Sequence, residues 1–253
     1  SGRGLVQEGE ITNSDAILPR LWTQTPSRKT PLRTFPALIF DLDGTLADTA
    51  PDLLGATNAV LAARGLPVTD LDHLRHMVGF GARALIAQAM EAAGRPVTDP
   101  EIPPLIEIFL AHYRAHIAEG TRLFPGVGET LDHLKQQGAR LGILTNKPQD
   151  LTDLLLPKLG IAGRFEAVYG AGRKPYTKPD PRIFHDVVDE LGGGVAAMIG
   201  DSVTDLNTAR AAQVRCILFS HGYTPVPAAS LGADLVLDDF AGLPDALREL
   251  KLL

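Results

Sequence analysis

Short apolar runs alternate with helical patterns along most of the chain. One run, ALIFDLD, occupies residues 37–43, and five more follow residue 121. The later runs are RLGILT (140–145), FEAVYG (165–170), AAMIGD (196–201), RCILFS (215–220) and ADLVLDD (233–239). They are continuously apolar, which is typical of parallel strands that are covered by helices on both faces. The pattern therefore predicts an α/β fold with a doubly wound, mainly parallel sheet.

Residues 52 to about 121 differ, because they carry helical periodicity and no strand pattern. Apolar side chains recur at helical spacing in two stretches: Leu85, Ile86, Ala89, Met90 and Ala93 in the first, and Ile102, Leu105, Ile106, Phe109, Leu110, Tyr113 and Ile117 in the second. An earlier helix is indicated by Thr49 and Asp52, which resemble a capping box, and by Gly65, which would end it.

These patterns predict two domains. A small all-helical domain, residues 52–121, is inserted after the first strand of a core that consists of residues 35–51 and 122–253. Residues 1–34 form an N-terminal extension to which we assign no role. This extension has no apolar stretch of the signal-peptide type, and no run of 18 apolar residues occurs in the chain, so we expect neither secretion nor a membrane span.

Composition narrows the class of partner. The formal net charge is -6, so the sequence has no basic excess of the kind that binds nucleic acid or anionic lipid. The one cysteine, Cys216, excludes an intrachain disulfide and lies in an apolar stretch, which favours a buried thiol in a reducing compartment. We therefore expect a cytoplasmic protein that acts on a small molecule. The oligomeric state stays open.

Polar and ionisable residues follow four of the predicted strands. They are Asp41 and Asp43 after the first, Thr145 and Asn146 after the second, Lys178 beyond the third, and Asp201 and Asp205 after the fourth. The carboxyl ends of parallel strands meet at one edge of the sheet, so these groups should share one cleft. Clustered carboxylates need a cation, and an all-oxygen set suits Mg²⁺.

Three further residues allow two interpretations each. Asp205 is either part of this site or a helix N-terminal charge that favours the helix dipole. Arg83, in GFGAR, either binds a substrate carboxylate or is an ordinary exposed arginine. Lys147 either borders the entrance of the cleft or is merely solvated.

Four motifs together resemble those of the haloacid dehalogenase-like hydrolase superfamily. They are DLDGTLADT (41–49), LTN (144–146), KPDPRIF (178–184) and GDSVTD (200–205). The resemblance extends over residues 37–240. It implies a Rossmann-like core, a helical cap inserted after the first strand, and phosphoryl transfer.

The resemblance also implies roles for individual residues. Asp41 would be the nucleophile that forms an aspartyl-phosphate, and Asp43 would protonate the leaving group and then deprotonate water. Lys178 would offset negative charge. The remaining roles are phosphate binding by Thr145, Asn146 and Lys178, and Mg²⁺ binding by Asp41, Asp43, Asp201 and Asp205.

Within the superfamily, three sequence stretches look most like those of phosphoglycolate phosphatases: VGFGARALI (78–86), RLFPGV (122–127) and TNKP (145–148). The resemblance therefore implies a Mg²⁺-dependent phosphomonoester hydrolase that converts 2-phosphoglycolate to glycolate and phosphate. Three alternatives stay open: a phosphatase for another small phosphorylated metabolite, a sugar phosphomutase of the same superfamily, and a signalling receiver that carries phospho-aspartate.

Overall fold

A computed structural model of the chain describes residues 35–253 except residues 76 and 80. The predicted N-terminal extension, residues 1–34, lies outside the described residues. Within the described part, six strands form one parallel sheet in the order β5-β4-β1-β6-β7-β8. They are β1 (Ala37–Phe40), β4 (Arg140–Pro148), β5 (Ala167–Ala171), β6 (Ala196–Gly200), β7 (Arg215–Phe219) and β8 (Leu235–Leu237). All six predicted strands are confirmed.

The sheet is covered on both faces because neighbouring residues of its central strand point in opposite directions. Leu38 and Phe40 of β1 belong to one apolar cluster, which includes residues of α5 (Val127–Gln136), α6 (Gln149–Lys158) and α9 (Leu243–Glu249). Ala37 and Ile39 belong to a second cluster with α7 (Pro181–Glu190) and α8 (Val203–Ala211). This arrangement is the doubly wound architecture that the sequence predicts.

Along the chain, four α-helices of the described residues follow β1 and precede β4, and we refer to them as the helical segment. They are α1 (Ala50–Ala63), α2 (Leu71–Arg75), α3 (Ala82–Ala92) and α4 (Ile102–Ala115). The apolar positions that predicted α3 and α4 form their buried faces, as Leu85 and Phe109 illustrate. These two side chains pack into the same apolar cluster as β1. Among the described residues, none of the helices combines the length and the apolar character that crossing a membrane requires.

The helical segment is joined to the sheet by two short antiparallel strands, β2 (Ala47–Asp48) and β3 (Arg122–Leu123). The predicted capping box at the start of α1 is wrong, because the Thr49 hydroxyl has no hydrogen-bond partner in the part of the chain that the structure describes. The Asp52 carboxylate instead accepts bonds from the backbone N–H groups of Ala118, Gly120 and Thr121 and from the Thr121 hydroxyl. Asp52 therefore ties the start of α1 to residues 118–121, which lead from α4 into β3.

Candidate active site

The site lies where β1, β4 and β6 end, at the carboxyl edge of the parallel sheet. Asp41 directly follows β1, and Gly44 turns the chain back with a φ of +82°. A Cβ atom at Gly44 would lie 2.6 Å from Oδ2 of Asp201, so this close approach requires glycine. The turn thus brings the end of β1 against the end of β6.

Lys178 connects two of the aspartates. Its Nζ lies 3.0 Å from Oδ1 of Asp41 and donates to Oδ1 of Asp205 at 2.6 Å. The lysine is only 4% exposed, so both ion pairs are shielded from solvent. Oδ1 of Asp41 also accepts from the Leu42 backbone N–H at 2.7 Å. Among the described residues no donor engages Oδ2 of Asp41, which leaves this oxygen open to a ligand.

Asp205 lies both beside Lys178 and at the start of α8, the two places that its sequence position allowed. Its Oδ2 accepts from the backbone N–H and the hydroxyl of Ser202, at 3.0 and 2.8 Å, at the start of α8. Its Oδ1 pairs with Lys178. Since both carboxylate oxygens are engaged, Asp205 orients the lysine from a fixed helix terminus.

Asp201 is held from two sides. The Thr45 hydroxyl donates to its Oδ1 and the Tyr223 backbone N–H donates to its Oδ2, each at 2.7 Å. One carboxylate oxygen from each of Asp41, Asp201 and Asp205 falls within 4.8 Å of the others. Three carboxylates therefore converge on one small volume.

The protonation equilibria reflect this crowding. Burial raises the pKa of Asp41 to about 7; Lys178 opposes the rise, and Asp205 and Asp43 add to it. Burial and the neighbouring carboxylates also raise the pKa of Asp201 well above its ordinary value. A divalent cation would offset this repulsion and keep both groups ionised. The donor set consists of hard carboxylate oxygens, so these residues fit a hard metal ion.

The two polar residues of β4 lie beside these aspartates. Thr145 and Asn146 both line the cleft above Asp41 and Asp43. The Thr145 hydroxyl accepts from the Lys147 backbone N–H at 3.2 Å, and the Asn146 amide donates to the Lys178 carbonyl at 3.3 Å. The buried Oδ1 of Asn146 has no partner among the described residues. The structure thus brings together the seven core residues that the sequence singled out.

Lys147 is buried, so its interpretation as a merely solvated residue is wrong. It is 5% exposed, and its Nζ lies 3.0 Å from Oδ1 of Asp43. The same Nζ donates to the Tyr113 hydroxyl of α4 at 2.7 Å and lies 4.4 Å from the centre of that ring. Burial lowers the pKa of Lys147, but Asp43 and Tyr113 outweigh it, so the net shift is upward and the ammonium stays charged. Burial raises the pKa of Tyr113 to about 12, so the phenol keeps its proton.

A cleft opens over these groups, between the sheet edge and the helical segment. Apolar side chains form its far wall: Leu53, Val78, Leu85 and Phe109, with Leu151 from the core. Lys147 is the one lysine or arginine among the described residues that line the cleft.

Arg83 lies elsewhere. Its side chain is 55% exposed, its guanidinium pairs with Asp99 at 2.6 Å, and Arg83 is not among the described residues that line the cleft. This geometry does not support the binding of a substrate carboxylate by Arg83, and this role stays a prediction.

The sequence did not single out Tyr113 as a functional residue. Its helical spacing identified it correctly as a buried residue of α4, but spacing does not show that its hydroxyl faces an ammonium group. A lysine two residues beyond the end of an apolar run, as at Lys147, was the available signal, since such positions lie at the reactive edge of a parallel sheet.

Comparisons with known proteins agree with this geometry. The family model of haloacid dehalogenase-like hydrolases matches residues 38–219. The chain is 47% identical over 211 residues to a phosphoglycolate phosphatase of Caulobacter vibrioides, covering 83% of this chain and 89% of that protein. It is 43% identical over 216 residues to one of Agrobacterium fabrum, covering 85% and 93%. The crystal structure of a predicted phosphoglycolate phosphatase from Haemophilus somnus superposes with a TM-score of 0.78 at 30% identity, covering 84% of this chain and 97% of that one.

Proposed function

The chain belongs to the haloacid dehalogenase-like hydrolase family, and from that premise we propose that it is a Mg²⁺-dependent phosphatase that hydrolyses 2-phosphoglycolate to glycolate and phosphate. The main support for the proposal is the convergence of Asp41, Asp201 and Asp205 beside the cleft, with Lys178 paired to Asp41 and Asp205. Relatives over more than four fifths of the chain bear the same function in their names.

In the first step Asp41 acts as the nucleophile. Its unengaged Oδ2 attacks phosphorus, the bond to the leaving oxygen breaks, and an aspartyl-phosphate forms. Lys178 offsets charge on the nucleophile, and Thr145 with the Asn146 backbone N–H holds oxygens of the transferring group. Asp43 gives its proton to the leaving alkoxide.

In the second step Asp43 removes a proton from water, which attacks the aspartyl-phosphate and restores Asp41. Asp41, Asp201 and Asp205, with the Asp43 backbone carbonyl, are the residues that would hold Mg²⁺, Asp205 through water or by orienting the site. The ion would supply positive charge against the phosphate oxygens and the carboxylates.

We further propose that residues 52–121 act as a cap over the core formed by residues 35–51 and 122–253. Apolar side chains of the helical segment face the aspartates across the cleft, so closure would exclude water during the first step. The enzyme would act in the cytoplasm, where the buried Cys216 would stay reduced.

Phosphate release tests this function. Purified protein is assayed with 2-phosphoglycolate, sugar phosphates and nucleotides, with and without Mg²⁺. We expect metal-dependent preference for 2-phosphoglycolate and a loss of about 10⁴-fold or more in Asp41→Asn. The matched control is Asp153→Asn, which changes an exposed aspartate of α6.

Each other outcome has a defined meaning. Flat activity across the panel would keep the phosphatase and withdraw the substrate. Isomerised sugar phosphate in place of free phosphate would indicate a phosphomutase. Equal rates for Asp41→Asn and the unmodified protein would overturn the mechanism, and a stable phospho-aspartate after substrate removal would favour a signalling receiver.

A further inference from the structure

We infer that Lys147 and Tyr113 bind the acid group of the substrate, a carboxylate attached one carbon away from the oxygen that leaves phosphorus. This inference rests on the proposed function, because it assigns the part of the cleft that receives the leaving group. It makes esters of 2-hydroxy acids with phosphate the substrate class.

The two buried lysines of the site, Lys178 and Lys147, have different numbers of anionic partners. Lys178 lies between two carboxylates, those of Asp41 and Asp205. Lys147 lies between one carboxylate, that of Asp43, and the neutral hydroxyl of Tyr113. A buried ammonium group is stabilised by anions that can accept its hydrogen bonds. A substrate carboxylate would give Lys147 the second anion that Lys178 already has.

The second support is a count of hydrogen-bond donors. The ammonium of Lys147 has three N–H groups, and it contacts Oδ1 and Oδ2 of Asp43, at 3.0 and 3.3 Å, and the Tyr113 hydroxyl at 2.7 Å. The Tyr113 hydroxyl accepts from Lys147, so its own proton has no acceptor among the described residues. The Tyr113 O–H is therefore available, and the N–H that makes the longer, second bond to the Asp43 carboxylate can turn to a ligand; their heavy atoms lie 2.7 Å apart. Two adjacent donors match the two oxygens of a carboxylate.

The third support is the distance from the chemistry. Nζ of Lys147 lies 3.0 Å from Oδ1 of Asp43, the group that would protonate the leaving oxygen. In an ester of a 2-hydroxy acid, a single carbon separates this oxygen from the carboxylate. Both groups thus fit beside Asp43 and Lys147 at once, whereas a carboxylate farther along a longer chain would not.

The fourth support is the character of the remaining wall. Val78, Leu85 and Phe109 face the cleft with apolar side chains. Such a wall leaves the hydroxyl groups of a sugar without partners, which is costly when they are buried. It accommodates a short carbon skeleton whose polar groups are confined to its two ends.

A pair of substrates isolates the carboxylate. Initial rates are measured with 2-phosphoglycolate and with ethyl phosphate, which has the same two-carbon skeleton and no acid group. We expect the ratio of kcat/KM for 2-phosphoglycolate to that for ethyl phosphate to fall roughly 10- to 100-fold in Lys147→Met and about 5-fold in Tyr113→Phe. Lys158→Met and Tyr176→Phe are matched controls, since both lie outside the cleft; they should keep the ratio.

Binding provides a readout that does not depend on turnover. In the Asp41→Asn protein, calorimetry with 2-phosphoglycolate in the presence of Mg²⁺ should show weaker binding when Lys147→Met is added. Thermal unfolding of each variant checks that the fold is retained, and Tyr113→Phe removes only one hydroxyl group if Lys147→Met does not fold.

Two results would overturn the inference. Equal losses on both substrates would mean that Lys147 acts only by holding Asp43. An unmodified protein that hydrolyses ethyl phosphate as well as 2-phosphoglycolate would mean that no acid group is read, although the phosphatase would stand. Hydrolysis of neither substrate would instead remove the proposed function itself.

Discussion

Two buried lysines face the two aspartates that follow β1, but their surroundings differ. Lys178 contacts Asp41, which directly follows β1, and Asp205, which lies in the first turn of α8. Lys147 contacts Asp43 from the sheet edge and Tyr113 from the helical segment. One lysine is thus enclosed by the core, and the other joins the two parts of the molecule.

This difference separates two tasks of a phosphatase. In the proposed mechanism, the Lys178 side concentrates negative charge around the position that the phosphoryl group would take, and every substrate shares this group. The Lys147 side lines the cleft and would face the leaving group, which differs from one substrate to the next. Changes on the first side should therefore affect all phosphate esters alike, and changes on the second should affect them selectively.

Removal of the metal should have the largest effect. Chelation with EDTA is expected to reduce kcat/KM by roughly 10³-fold or more, because the carboxylates around Lys178 would then repel one another and the substrate phosphate. Phosphate release is measured with 2-phosphoglycolate and ethyl phosphate, and both rates should fall together and return with added Mg²⁺. A loss confined to 2-phosphoglycolate would indicate that the ion binds the acid group of the substrate and not the phosphate, and would contradict this role of the metal.

Lys178→Met should come next. Loss of the ammonium leaves Asp41 and Asp205 buried without compensation, so we expect a loss of about 3–5 kcal/mol in the free energy of unfolding. The activity should fall about 10²-fold or more on both substrates alike. Urea unfolding with Lys158→Met as the control measures the first effect, and unchanged stability would show that the carboxylates are compensated in another way.

Asp52→Asn tests how the helical segment is held. The Asp52 carboxylate accepts four hydrogen bonds from residues 118–121, and the amide can accept through only one oxygen. We expect a loss of about 2 kcal/mol in the free energy of unfolding. The substrate ratio should fall about 3-fold, because Tyr113 would be positioned less well. Asp72→Asn, on an exposed position of α2, is the control, and an unaltered urea midpoint would contradict this role of Asp52.

Arg83→Gln should have the smallest effect. Its ion pair with Asp99 is exposed, and such pairs contribute little. We expect the ratio of kcat/KM between the two substrates to change less than about 2-fold. A fall in this ratio as large as that in Lys147→Met would indicate that Arg83 binds the acid group of the substrate.

The sequence was sufficient for the sheet and for the cluster at its edge. Continuous apolar runs predicted all six strands, and parallel strands that end together necessarily bring Asp41, Thr145 and Asp201 close. These conclusions depend on local pattern and on topology, which the order of residues along the chain largely determines.

Other features depend on contacts between distant residues. Thr49 and Asp52 have capping-box spacing, but Asp52 accepts bonds from residues 118–121 instead. Lys147 is buried because Tyr113, 34 residues earlier, covers it. Local spacing cannot reveal either contact, because the packing of the helical segment against the core decides both.

The most direct test of the account is to trap the phosphorylated protein. The protein is mixed with 2-phosphoglycolate that carries a radiolabelled phosphoryl group, quenched in acid during turnover, and digested for peptide mapping. We predict label on the peptide that contains Asp41, released by hydroxylamine and absent from Asp41→Asn. Phosphate release at full rate without labelled protein at any quench time, or label on another residue, would contradict the assignment of Asp41 as the nucleophile.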